Sequence, residues 1–363
     1  MKKFKILESF RFIAASIVAF GHFYDILLKI PSPAGNAVDF FFVLSSFIWT
    51  IKLKDNDSIE SSKILKKVFL GRFIRLLLPY VVLLLIWNIV YFLVLKGRLY
   101  SFYDFFVDIF LLQTLGLRKN IFQGSILGIA WTLGLELYIG TILFTLIYFW
   151  NKKYKEMLFF IFIVMMIISQ SLMLHFSDKA QGYFSLVLNS IPIGVFRILY
   201  SYSIGGLAGL YYKKYKINFK KNKFLKYSLL EILIVLFIYL LYGRPDYNQD
   251  NNLIFSVVAA VLIIVFTYEG GIISKILEKI SILGTLGYSI YLIHPIVMDI
   301  MGHFNKTNRV FYYVSILITS ILFYNLVEKK FIKLKKDINN KNIYKKNMEN
   351  RNEKNNNNCT NVQ

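Results

Sequence analysis

The run Arg11-Phe12-Ile13-Ala14-Ala15-Ser16-Ile17-Val18-Ala19-Phe20-Gly21-His22 begins and ends on ionisable residues and carries no charge between them. Eleven residues are almost three helical turns. Arg11 and His22 therefore face the same way, roughly 16 Å apart along the axis. A helix this apolar belongs in a bilayer, where an ionisable group is costly and usually marks a function. The plainer reading stays open beside it: an arginine snorkelling at one end, and a histidine bonded to a neighbouring helix at the other.

Composition extends the membrane reading to the whole chain. Of its 363 residues 56% are hydrophobic and 17% aromatic, and the mean hydropathy is +0.52. Apolar runs recur near the roughly 20 residues that a bilayer requires. We read ten spans, at about 6–28, 37–53, 76–95, 126–150, 157–174, 190–212, 226–242, 253–269, 282–301 and 310–328. The expected fold is an all-α polytopic transmembrane helical bundle, one membrane domain over residues 1–336. A weak period-2 signal argues against an outer-membrane barrel. The first helix is long and lacks a small-residue cleavage site after it, so it is expected to be retained. The stretch Phe102–Leu117 is apolar but short and contains Asp104 and Asp108. It is expected as an interfacial or re-entrant segment at the outer surface. Residues 337–363 are Asn/Lys-rich and of low complexity, and are expected to be disordered.

The net charge of +22 would suggest nucleic acid in a soluble protein. Here membrane topology explains it better, and no nucleic-acid partner is expected. With the N-terminus inside, 32 of the 43 lysines and arginines fall in inside segments and nine in outside ones; Arg11 and Arg197 lie within spans. This bias predicts a multi-pass protein of the inner (cytoplasmic) membrane with both termini cytoplasmic, and the lysine-rich loop 213–226 with them. The single cysteine, Cys359, can form no internal disulfide. No repeat of fixed period is visible, which weakens a transporter built from duplicated halves.

On this topology the polar residues within the membrane form two groups. His22, Asp39, Trp131, Glu136 and His294 share one depth in the outer half. Arg72 and Arg75 lead into the third span on the inner side. On the ninth span Gly287, Tyr291 and His294 lie at i, i+4 and i+7, on one face.

Five segments resemble the acyltransferase-3 family of integral membrane acyltransferases, which modify sugars including surface polysaccharides. They are Arg11 through His22; Ala37-Val38-Asp39-Phe40-Phe41-Phe42-Val43-Leu44-Ser45-Ser46-Phe47; Arg72-Phe73-Ile74-Arg75-Leu76-Leu77-Leu78-Pro79-Tyr80; Trp131-Thr132-Leu133-Gly134-Leu135-Glu136; and Gly287-Tyr288-Ser289-Ile290-Tyr291-Leu292-Ile293-His294-Pro295. They occur in the family's order. Ala37 and Ser46 replace glycines of the family pattern, and a leucine, Leu137, replaces a second acidic residue often found after Glu136.

The resemblance implies an O-acyltransferase that moves an acyl group, acetyl from acetyl-CoA being expected, to a hydroxyl of a glycan or lipid-linked sugar. That reaction needs a base for the hydroxyl proton, and a neutral imidazole suits it near pH 7. Apolar surroundings keep the ring uncharged, while a carboxylate would orient it. His22 is thus the expected base, with Asp39 or Glu136 orienting it. Plainer roles for the carboxylates are a helix cap and a helix–helix hydrogen bond. Arg72 and Arg75, with Arg11, are expected to hold the donor's phosphates, since a guanidinium fork matches phosphate oxygens. On the residues alone topology and lipid headgroups explain the two arginines more simply, and it is the resemblance that favours the donor role. Trp131, Tyr291 and His294 are expected at the acceptor, with a core role for His294 as the alternative. His175 and His303, at loop ends, have no expected role. No metal is expected, because zinc spacings, a P-loop and a Gly-x-Ser-x-Gly elbow are all missing. The rival function is a glycolipid transporter or flippase using the same residues as a proton relay.

Overall fold

A computed structural model describes residues 4–28, 32–53, 61–94, 101–115, 127–153, 155–176, 186–187, 191–215, 223–242, 252–304, 308–338 and 340. Among them nine helices are long and apolar enough to cross a membrane, or ten if one bent pair is a single span. Each corresponds to one expected span. The loop residues 216–222 and the tail from 341 onward, about which the sequence also makes predictions, lie outside the described residues.

The spanning elements are α1 (Lys5–His22), α2 (Ala34–Lys52), α3 (Ser61–Arg72) continuing into α4 (Leu78–Leu93), α6 (Ala130–Leu137) continuing into α7 (Ile139–Lys153), α8 (Leu158–Phe176), α9 (Ile193–Lys214) and α10 (Lys223–Tyr242). The rest are α11 (Asn252–Thr267) with α12 (Ile272–Lys279), α13 (Gly287–His303) and α14 (Arg309–Phe323). A two-residue antiparallel pair, Leu186–Val187 with Ile191–Pro192, precedes α9.

Burial sorts these helices into an inner and an outer set. In α9 and α2, 72% and 67% of the apolar window is buried, against 17% in α10 and 22% in α8 and α14. The outer helices expose Leu, Ile and Phe along their length, for example Leu233, Phe237 and Tyr239 on α10. Lipid is the medium that such a surface fits.

Small residues set the central contact, as expected where lipid offers no hydrophobic drive between helices. Gly205 and Gly209 are four residues apart on α9. A Cβ on Gly205 would strike the Val43 carbonyl oxygen, and one on Gly209 would lie 2.7 Å from Thr50 Cβ. Ser46, where a glycine was expected, donates its hydroxyl to the Tyr202 carbonyl at 2.7 Å. The replacement therefore adds a bond across the α2–α9 contact. On α1, Ala14, Ala15, Val18 and Ala19 are buried. Gly287 comes within 3.1 Å, measured from where its Cβ would sit, of the Arg11 carbonyl oxygen.

The direction of the helices follows from paired contacts. α13 touches α1 at Arg11 through Gly287 and again at His22 through His294, so the two run the same way. α14 runs against α1: Arg309 reaches Tyr24, and Tyr313 reaches Ser16. The bend of 87° between α11 and α12 has a visible cause. Buried Glu231 of α10 accepts the backbone N–H groups of Gly271, Ile273 and Ser274 at 2.9, 2.9 and 3.0 Å. A carboxylate on these otherwise unmatched N–H groups fixes the start of α12.

The short apolar stretch after α4 does not span. Its helix α5 (Phe102–Ile109), with Ser101 as N-cap, is only eight residues long. Beyond it Thr114 packs where a Cβ on Gly134 would sit, 2.7 Å from its Cγ2, so the segment dips against α6.

The α2–α9 contact predicts that Gly205→Ala destabilises the bundle by about 1–3 kcal/mol, the usual cost of overpacking. Gly302→Ala, whose nearest neighbour is Leu27 at 3.5 Å, should be tolerated. Thermal melting of the two purified variants in one detergent checks this; equal melting temperatures would refute the close contact.

Candidate active site

Two histidines meet across α1 and α13. His22 Nδ1 lies 2.9 Å from His294 Nε2, with ring centroids 5.1 Å apart and planes 29° from parallel. His294 is fully buried and His22 half-buried. The backbone carbonyls of Ile290 and Tyr291 lie beside the His294 ring, and Pro295 follows it within the helix. A five-residue π-helical turn, Phe23–Leu27, begins directly after His22. Such turns re-aim side chains and are frequent at functional sites.

The surroundings of the pair are aromatic. The Tyr291 ring sits 5.8 Å from that of His294. Thr132 donates its hydroxyl to the Ile129 carbonyl at 2.9 Å. The Tyr291 hydroxyl is therefore the donor in its own close contact with Thr132 Oγ1. This bond ties the Trp131-Thr132 segment to the Tyr291–His294 segment. Trp131 itself is buried and packs on the face of α9 that Gly194 leaves open. Tyr312 of α14 donates to the Ala19 carbonyl at 3.0 Å, holding α1 one turn before His22.

Neither expected carboxylate touches His22. Asp39 is not a helix cap; it lies inside α2 and is buried. It takes Arg197 Nε and Nη2 at 2.6 Å each in a bidentate pair, and Arg197 also donates to the Gly35 carbonyl at 3.0 Å. An arginine within a span had to find an anion, and the sequence did not say which; Asp39 on a different span supplies it. Glu136 is equally committed. Its Oε1 accepts from Arg72 Nη2 at 2.7 Å and from Ser45 at 2.8 Å, and its Oε2 accepts from Tyr202 at 2.6 Å. Arg72 also donates to the Glu136 carbonyl oxygen, and its guanidinium lies over the Phe144 ring at 4.0 Å. Gly140, one turn on, leaves the room that this guanidinium fills. Asp39 and Glu136, each expected to orient His22, are thus bonded to arginines instead, and the side chain hydrogen-bonded to His22 is His294.

Arg72 was expected to lie at the other depth from Glu136, on the donor side. It instead reaches into the bundle and is half-buried in the ion pair. Three residues along, Arg75 sits in a π-helical turn, Phe73–Leu77, and is exposed. Arg11 pairs with Glu8 at 2.9 Å and lies within electrostatic range of Arg75. Tyr202 and Ser45, the other partners of Glu136, were missed in the sequence because a hydroxyl in a span has no charge to betray it. His175 and His303 are exposed at the ends of α8 and α13.

The five sequence segments thus join into one assembly. Arg11-to-His22 meets the His294 segment, which meets the Trp131–Glu136 segment, which binds Arg72 and Ser45. A family model for the acyltransferase-3 domain, described as "Acyltransferase domain", matches residues 4–325, and all five segments fall within that range. Comparison with curated proteins and with solved structures gave no match. With nine-tenths of its length matched by one model, and nine or ten helices able to cross a membrane, the chain belongs to the acyltransferase-3 family of integral membrane acyltransferases.

Proposed function

We propose that the protein transfers an acetyl group from acetyl-CoA to a hydroxyl of a glycan or lipid-linked sugar, with His22 as general base. The observation that carries this reading is the His22–His294 hydrogen bond. We assign the His294 proton to Nδ1, which lies near the carbonyls of Ile290 and Tyr291 without a formed hydrogen bond, so that Nε2 accepts. His22 Nδ1–H is then the donor, and His22 Nε2 is left with a free lone pair.

The reaction follows from that lone pair. His22 Nε2 takes the proton of the acceptor hydroxyl as the oxygen attacks the thioester carbonyl. The carbon–sulfur bond breaks, and the thiolate leaves with the proton returned by His22. The products are the O-acetyl ester and free CoA. Proton transfer by a positioned histidine contributes about 10²–10⁴ in rate. Trp131 and Tyr291 line the approach of the acceptor.

Arg75 is the donor's phosphate ligand in this reading, since its guanidinium is exposed and unpaired among the described residues. Arg72 acts by holding Glu136 and the third span in place. Arg11 stands between the two ends, in line with His22, so the donor's thioester must reach roughly 16 Å along α1. The basic end of the bundle is cytoplasmic, as the charge bias argues, in the inner membrane. A relay for glycolipid transport is less well supported, because Asp39 and Glu136 are both locked to arginines.

Three measurements test this reading. His22→Ala should lower acetyl transfer by about 10²–10⁴ while the protein still inserts and melts normally. His294→Ala should also lose activity, and His294→Asn, which keeps an acceptor, should recover part of it. Exposed His175→Ala and His303→Ala serve as controls. Near-normal transfer by His22→Ala would falsify the mechanism.

Arg75→Lys should raise the donor KM about tenfold, the loss of one charge-assisted fork, with kcat little changed. Arg72→Lys should instead lower stability through Glu136, and a donor KM that moved only in Arg72→Lys would reverse the two roles.

For orientation, a cysteine placed at Lys220 in a Cys359→Ser background should resist an impermeant thiol reagent in intact cells. Rapid labelling there would overturn the inside placement of that loop.

A further inference from the structure

The cations at the basic end outnumber the anions that face them. Arg75 lies within electrostatic range of Arg11, Lys52 and Lys335, and Lys335 also lies within range of Arg72 and Lys52. The carboxylates facing this group are Glu8, Glu136 and Glu328. Glu8 is paired with Arg11 at 2.9 Å and Glu136 with Arg72 at 2.7 Å, which leaves Glu328, bonded to the Ser289 hydroxyl at 2.5 Å, as the one carboxylate of the three for Arg75, Lys52 and Lys335. Among the described residues Arg75, Lys52 and Lys335 make no hydrogen bond or ion pair. Like charges gathered at a low-dielectric boundary repel unless an anion joins them.

Lys335 is held there by packing. Its Nζ and Cε lie 3.1 and 3.2 Å from where a Cβ on Gly71 would sit. Any larger residue at 71 would push the ammonium away from Arg72. The helical chain continues from α14 through a π-helical turn, Tyr324–Glu328, and on to Lys335. This part of the chain lies beyond residues 4–325, which the family model matches. Lys52 is the last residue of α2. Lys52 and Lys335 thus stand at the rim, while Arg75 sits further in, beside Tyr288 and Glu328.

We infer that Lys335, seated on Gly71, and Lys52 bind the outermost phosphate of the nucleotide-bearing donor, the 3′-phosphate of CoA, while Arg75 holds the pyrophosphate. The inference rests on the acyl-CoA reading. An extended donor whose thioester is directed inward past Arg11 leaves its ribose phosphate at the rim. A phosphate there neutralises both lysines at once. The two lysines therefore set the preference for CoA over its 3′-dephospho form.

The full-length protein in detergent is assayed with acetyl-CoA and with acetyl-3′-dephospho-CoA. The unaltered protein should show a KM about tenfold lower for acetyl-CoA, as a charge-assisted contact provides. Lys335→Gln and Lys52→Gln should raise the acetyl-CoA KM toward the dephospho value, leaving kcat and the dephospho KM unchanged. Lys335→Arg should keep most of the preference, and Lys336→Gln, on the exposed side of the same helix, all of it. Equal KM values for both donors in the unaltered protein would overturn the inference, as would a Lys335→Gln change that affects both donors alike or neither. If Lys335→Gln does not fold, Lys52→Gln decides by the same criterion. Use of neither donor would overturn the acyl-CoA reading itself, whereas use of both without preference would overturn only the role of the lysines.

Discussion

The rest of the bundle depends on the ion pair between Arg72 and Glu136. A charge drawn into an apolar interior must be matched and hydrogen-bonded in full, and here the matching uses four helices. Arg72 comes from α3, Glu136 from α6, Ser45 from α2 and Tyr202 from α9. Removing one partner would leave the other buried alone, a loss of about 3–5 kcal/mol in comparable sites. Asp39 and Arg197 repeat the device between α2 and α9. Those two helices are thereby joined by an ion pair, a small-residue contact and the Ser46–Tyr202 bond, which makes them the fixed centre. The histidines come from α1 and α13 at the side of that centre.

Much of this arrangement was legible in the chain, and the reasons differ by residue. The ten spans were readable because twenty apolar residues in succession have few other uses, and the short Phe102–Leu117 stretch was too short to join them. His22 stood out because nothing else in its helix is ionisable after Arg11. The partners were not legible. Asp39, Glu136 and His294 were all expected at one depth, and depth says nothing of azimuth: which neighbour each faces depends on helix order around the bundle, which no spacing encodes. Arg197 needed an anion and two were available. Tyr202 and Ser45 carry no charge, so no desolvation argument singles them out. Arg72 was misplaced because its neighbour Arg75 does face the basic end; three residues turn the helix by most of a revolution, and a π-helical turn begins between them.

The division of labour among the arginines follows from the same geometry. A half-buried guanidinium bonded to the carboxylate and the backbone carbonyl of Glu136, and lying over Phe144, is committed within the bundle. One that is exposed beside Lys52 and Lys335 is free to take a ligand. Two arginines in one short motif therefore have different surroundings, and substitutions at them should not be read as one functional signal.

Pro295 has a consequence of its own. Proline lacks an N–H, so within α13 the carbonyl of Tyr291, four residues earlier, has no intrahelical donor to accept from. That carbonyl is one of the two beside the His294 ring. The vacancy in the helix ladder thus leaves a spare acceptor near a ring whose Nδ1 is buried and forms no hydrogen bond in the structure. In acid–base terms an acceptor in that place favours a proton on Nδ1, which leaves Nε2 as the acceptor toward His22 and gives His22 Nε2 the lone pair that the proposed reaction uses.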